Sequence, residues 1–475
     1  MKSTTQSFKD NARVALDDPQ LQRALTVLPT GLVANRAAAR ARLPEFEELR
    51  DVGRDIKDHV LANLDLYLEI YERNAIAAGA KVHWAATAAE ARDIILGICR
   101  EANAKLVTKG KSMVSEEIAL NAHLEAAGIE VAETDLGEYL VQIRGETPSH
   151  IIAPAIHLTQ DQVEADFRRL HTELPPDRVL TEPSQLVGEA RQILRQKFLA
   201  ADVGITGANF LIAETGSSVI VTNEGNGDLT QSLARVHIAL ASIEKIVPTL
   251  EDVSSILRLL ARSATGQEIS TYTTFSTGPR RPGDPDGPEA YHVVILDNGR
   301  SEMLGTPFRE ALRCIRCGAC LNHCPVYHAI GGHAYGWVYA GPIGSVLTPA
   351  LIGVKTAGDL PNASTFCGRC EQVCPMKIPL PKLMRHHREA EFEQGAQSRS
   401  TTLALKAWAW FAKRPRLYHL GARLAASLLG ATGQRKGAFR WLPLADGWTR
   451  YRDFPAPQGR TFQQLWAKQK RGSAR

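Results

Sequence analysis

Apolar residues recur at helical spacing early in the chain. Ile56, Val60, Leu64, Leu68 and Ile70 fall on one face between Asp55 and Ala78, which predicts a helix there, after a polar helical arm over residues 1–60. Short β-prone runs then alternate with helical ones. Residues 81–84 precede a helix over 88–102, residues 105–108 precede one over 115–127, and 129–131 follow Gly128. This alternation predicts an α/β domain on a parallel sheet. Helices over 161–174 and 183–200 lead into the densest strand region. There, 209–213 and 218–222 flank a tight turn at 214–217, followed by strands at 236–241 and 245–247, a helix over 252–262, a Pro- and Gly-rich loop over 276–288, and a last strand at 291–296. The α/β domain is expected to span residues 61–299. A helical, cysteine-bearing domain is expected over 300–390 and a helical tail over 391–475.

A chain of 475 residues with 44% hydrophobic and 23% charged residues has ample core and the composition of a soluble protein. The opening residues lack an apolar stretch, so no secretory segment is expected, and no apolar run approaches membrane-spanning length. The net charge of +5 hides an asymmetry. Residues 401–475 carry 15 Lys and Arg against Asp446 and Asp453, while the rest of the chain holds 41 basic and 49 acidic groups. Trp408, Trp410, Trp441, Trp448 and Trp466 also lie in this tail. The predicted helix over 402–410 places Leu405, Trp408 and Ala409 on one side, with Lys406 and Lys413 off it. A partner-protein groove, an anionic membrane surface at the inner membrane face, or packing on the cysteine-bearing domain would each suit such a tail. Nucleic acid is disfavoured, since the remainder is acidic.

The candidate chemistry is concentrated in seven of the eight cysteines. Cys314, Cys317, Cys320 and Cys324-Pro325 form one run, and Cys367, Cys370 and Cys374-Pro375 an imperfect repeat of it. The C-x2-C-x2-C-x3-C-P spacing is that of bacterial ferredoxins, in which the fourth cysteine serves the other cluster. Structural zinc uses separated pairs of ligands, and disulfides favour short secreted chains, so neither fits. Crossed ligation assigns Cys314, Cys317, Cys320 and Cys374 to cluster one, and Cys324, Cys367 and Cys370 to cluster two. Cluster two is then one thiolate short, with Ser364 where a first cysteine belongs. Three readings follow: a 4Fe–4S cube completed by Ser364, a histidine or water, a 3Fe–4S cluster, or an open iron. Two 4Fe–4S cubes are preferred. Such clusters suit a reducing cytoplasm. His323 and His328, near Cys324, read as loop packing. Gly331, Gly332, Gly336, Gly341 and Gly344 either bring amides to the cluster sulfurs or only make turns.

Other candidates are weaker. Lys109-Gly-Lys111-Ser112 is similar to the end of a phosphate loop, but Lys105 stands where glycine is required. Nucleotide hydrolysis is rejected, leaving Lys109 and Lys111 as solvated surface charges or an anion site. Glu214, Thr215, Asn223 and Glu224 follow apolar strands, where α/β proteins bind ligands, although turn chemistry explains them as well. His237, His292 and Cys99 read as buried core residues.

The cysteine runs, with Gly331-Gly-His-Ala-Tyr-Gly336, Gly341-Pro-Ile-Gly344, the segment from Gly204 to Gly216 and Thr222–Asn226, resemble the lactate-utilisation iron–sulfur protein B family. The resemblance implies a LUD domain with a sugar-isomerase and CoA-transferase-like sheet, then a two-cluster ferredoxin-like domain. It also implies an electron-transfer subunit of an L-lactate oxidation system, acting with a cysteine-rich iron–sulfur protein and a second LUD protein. In that family the second run also lacks one cysteine. No catalytic residue is assigned. The alternative is an oxidoreductase subunit whose LUD domain binds lactate or a related hydroxy acid. A redox-sensing regulator would require an effector module, and no helix-turn-helix pattern is present.

Overall fold

Strands buried on both faces read as continuous apolar runs rather than alternating ones, and this governs the α/β half. Its strands are β1 (Lys81–Ala85), β2 (Leu106–Gly110), β3 (Glu130–Glu133), β4 (Val203–Gly207), β5 (Phe210–Ile212), β6 (Ser217–Thr222), β7 (Val236–Ser242), β8 (Ile246–Val247), β9 (Tyr272–Ser276) and β10 (Ala290–Leu296). The computed structural model describes residues 3–433, 435–443, 445–449 and 452–473. Six strands form an all-parallel sheet in the order β1-β10-β7-β4-β2-β3. The predicted α/β class is therefore correct, but a second, mixed sheet in the order β8-β5-β6-β9 lies beyond what the alternation indicated.

β4 and the helix Asn226–Ser232 were not expected from the pattern. β4 holds two glycines in five residues, which weakens its strand signal. Gly204 is required there, because a Cβ would come within 1.8 Å of the Thr230 carbonyl oxygen of that helix. The helix predicted over 55–78 is two helices, Phe46–Ala62 and Leu64–Ala77, parted at Asn63. The one predicted over 115–127 is also broken, by Ala119 in the left-handed region at φ 53°.

The cysteine-bearing half is built from short helices around Gly341–Ile352, whose first nine residues are all buried. The first sixty residues are helical and share its core: Phe8, Leu25 and Leu28 belong to one buried cluster with Tyr327, Tyr335 and Ile343. Residues 1–391 form one compact unit and residues 392–475 another. The second unit contains the helices Arg399–Ala412, Pro415–Gly433 and Phe462–Ser473, with a ribbon of β11 (Ala438–Phe439) and β12 (Phe454–Pro455). In Arg399–Ala412 no residue is buried. Among the described residues no helix is long and apolar enough to cross a membrane.

Candidate metal centre

The thiols gather as four and three. Cys314, Cys317, Cys320 and Cys374 line one cavity, closed by Ile151, Arg316, Ile343 and Met376. The second group brings Cys324 beside Cys367 and Cys370, each close enough to feel the others' charge. All eight cysteines are free thiols. Burial, then the like charge of neighbouring thiols, pushes Cys317 and Cys320 well above the ordinary range. Burial also takes Cys374 up to about 11 and Cys370 up to about 12. Converging buried thiols that each oppose the others' ionisation suit a positive metal centre, which favours the thiolate. Backbone amides already point that way. Arg316 N donates to Cys314 Sγ (3.4 Å) and Ile378 N to Cys374 Sγ (3.5 Å). The donor set therefore fits an iron–sulfur group.

In the first group Cys317 and Cys374 are buried and Cys314 and Cys320 half-buried, whereas in the second Cys324 and Cys370 are buried and Cys367 is exposed. Ser364 Oγ accepts from the Phe366 amide (3.1 Å). His323 Nδ1 bonds the Ala319 carbonyl (2.9 Å) and His328 Nε2 that of Asn322 (2.6 Å), so both pack the loop as expected. Of the glycines, Gly332 has a clear packing role: a Cβ would lie 1.7 Å from the Ser149 carbonyl oxygen, so the loop from the α/β half could not approach.

Arginines from the first helices hold the second cysteine run. Arg36 donates to the Val373 carbonyl (2.8 Å), and Arg50 to those of Gln372 (3.0 Å) and Cys374 (2.8 and 3.1 Å). Sequence reasoning missed these residues. The signal was a charge on an apolar stripe: Phe46, Arg50, Gly53, Lys57 and Val60 are the buried face of one helix. Lys57, pushed down to about 8 by burial, donates to the carbonyls of Glu244 and Ile246.

A buried charge network joins the halves. Arg300 grips Glu117 through both terminal nitrogens (2.9 and 2.7 Å) and reaches Glu244 (3.0 Å). Arg316 meets Glu244 (3.2 Å) and lies 4.7 Å above the Tyr339 ring, whose hydroxyl donates to Glu117 (2.6 Å). Burial alone would raise Glu244, yet Arg300 and Arg316 hold its carboxyl down at about 2.

Lys109 is neither a surface charge nor an anion ligand. It is fully buried between Glu116 (2.9 Å) and Glu133 (2.7 Å), with Ser115 Oγ at 2.8 Å. Lys111 pairs with Asp135 and with Glu224 (3.4 Å). Glu214 accepts from the Leu250 amide (3.0 Å) at the start of a helix, and Thr215 hydrogen-bonds Ser217, so both serve turns. Asn223 instead lines a cavity of about 160 Å³ at the C-terminal ends of β2, β3 and β4. His237 meets Thr206 (2.8 Å) and His292 meets His83 (3.0 Å), as expected of core residues. Cys99 is buried and its thiol is pushed up to about 12 by that burial.

Family models match three consecutive stretches from residue 68 onward: the LUD domain over residues 68–296, a 4Fe–4S dicluster domain over 310–378, and the lactate utilisation protein B C-terminal domain over 382–471. The cysteine-bearing half is thus an iron–sulfur domain. A crystal structure of a DUF162 family protein from Deinococcus radiodurans covers 49% of this chain and 98% of its own, at 15% identity and a TM-score of 0.27, too low to carry an argument. Lactate utilization protein B of Bacillus licheniformis is 43% identical over 473 residues, 99% of this chain and 98% of that protein. Its Bacillus subtilis counterpart is 44% identical over 474 residues, 98% of this chain and 97% of that protein. With three consecutive domain matches and relatives alike from end to end, the chain belongs to the lactate utilization protein B family.

Proposed function

We propose that the chain is the iron–sulfur electron carrier of a multi-subunit system that oxidises L-lactate to pyruvate. The observation that carries this reading is the grouping of thiols inside a matched dicluster domain, one group enclosed and the other reaching the surface at Cys367. Cys314, Cys317, Cys320 and Cys374 hold one 4Fe–4S cube. Cys324, Cys367 and Cys370, with one ligand that is not a cysteine, hold the second. The cubes supply one-electron redox chemistry. The chain's own contribution is to fix the thiolates, donate amides to their sulfurs and exclude water from the first group. Its partners are a cysteine-rich iron–sulfur protein and a second LUD protein, and it works in the cytoplasm.

Anaerobically purified protein should contain about eight irons and as many sulfides per chain. Alone with L-lactate and a dye acceptor it should not turn over, and it should pass electrons once the sibling subunits are added. Turnover by the isolated chain would reject the carrier role. One or two zinc ions in place of iron would reject the clusters.

The basic second unit also makes peripheral contact with the inner membrane face. It exposes Leu403, Trp408, Trp410, Leu424 and Leu428 beside its cationic residues, a combination suited to an anionic interface. Co-sedimentation with phosphatidylglycerol vesicles but not with phosphatidylcholine vesicles is expected. Equal recovery with both would remove this contact.

A further inference from the structure

Two cations face the cavity at the strand ends without sufficient partners. Lys245 is buried, with 6% of its surface exposed, and among the described residues its ammonium makes no hydrogen bond or ion pair. The Arg316 side chain is 9% exposed, and its Nη1 has no hydrogen-bond partner. Its backbone sits in the left-handed region, at φ 59°, as does that of Phe366 just before Cys367, at φ 54°, so this conformation belongs to the cysteine loops. A buried charge is costly unless it is paired.

The carboxylates nearby are already committed. Asp135 accepts from the amides of Gly137 (2.9 Å) and Glu138 (3.3 Å) and pairs with Lys111. Glu244 is shared by Arg300 and Arg316. Glu138 accepts from the Lys111 amide (3.0 Å) and is pushed up by burial and then by Glu133 and Asp135. Among the residues lining the cavity three cations, Lys111, Lys245 and Arg316, outnumber the carboxylates of Asp135 and Glu138. Ser112, Asn209 and Thr222 add polar groups to its wall, and Leu260 and Ala261 apolar ones.

We infer that this cavity is a binding site for a small organic monocarboxylate, its carboxylate held by Lys245 and Arg316. The cavity, of about 160 Å³ and partly open to solvent, has room for an acid of a few heavy atoms. The position is the ligand-binding edge of an open parallel sheet. Arg316 and Ile151 also line the cavity of the four thiols, so a bound acid is separated from the first cluster by one layer of side chains. The inference stands on the cavity's own residues and does not depend on electron carriage.

The test is calorimetric titration of the intact, iron-loaded chain with L-lactate, pyruvate, lactamide and inorganic phosphate. At least one of the two carboxylates should bind ten-fold or more tighter than uncharged lactamide and than phosphate. Lys245→Gln should weaken that binding ten-fold or more, while Lys382→Gln, an exposed lysine elsewhere, should leave it unchanged. In the wild-type protein the same carboxylate should also shift the electron paramagnetic resonance of one cluster and leave the other as it was. Equal affinity for lactate and lactamide, phosphate bound as well as the carboxylates, no binding at all, or Lys245→Gln without effect in an iron-replete protein would each overturn it. The comparison of ligands needs no variant, so instability of Lys245→Gln would not leave the question open.

Discussion

The two thiol groups come from one repeated motif and occupy opposite environments. The first has four cysteines, none of them fully exposed, around one cavity, with Arg50 on the Cys374 carbonyl and a charged network leading into the LUD domain. The second has three cysteines, one of them exposed. Runs of similar cysteine spacing thus sit in different surroundings. The enclosed group faces the cavity of the α/β half, and the open one faces solvent, where another protein can approach. On the proposed carrier role, that asymmetry would give electrons two distinct ends within a single chain.

The comparison can be broken most severely at the thiols themselves. Cys317→Ala should abolish the enclosed cluster, removing about half of the iron and destabilising the cysteine half, as read by iron analysis and thermal melting. Cys367→Ala should remove only the exposed cluster's signal and leave the fold intact. Next comes Arg300→Met, which strands Glu117 and Glu244 in the interior. A loss of about 3–5 kcal/mol in denaturant titration is expected. Arg50→Met removes the guanidinium's hold on the Gln372 and Cys374 carbonyls. It should cost about 1.5–3 kcal/mol and broaden the resonance of the first cluster more than the second. The mildest change, Cys99→Ala, should cost about 1 kcal/mol and alter neither iron content nor spectra, because that thiol sits in the core of the parallel sheet.

Spacing alone made the cysteine runs readable, because three ligands two residues apart have few other uses. Short β-prone runs bounded by turn residues made β1, β2, β3, β5, β6, β7, β8 and β10 legible, β7 and β10 most plainly because they are long and apolar. β4 was hidden by its glycines, whose purpose is a contact with Thr230 that no local pattern encodes. Lys109 was misjudged because two carboxylates, one of them 24 residues away at Glu133, neutralise it in the interior. Lys245 and Arg316 were passed over for a related reason. Each is an ordinary cation in sequence and becomes unusual only when the LUD sheet and the cysteine half close around it.

Arg36 and Arg50 leave the ribosome more than three hundred residues before the carbonyls they hold at 372–374. The four-thiol pocket likewise lacks a wall until Cys374 has been synthesised. Translation therefore imposes an order on maturation. The helices that carry Arg36 and Arg50 wait for their target, and the four-thiol pocket can be filled only after Cys374 has been made.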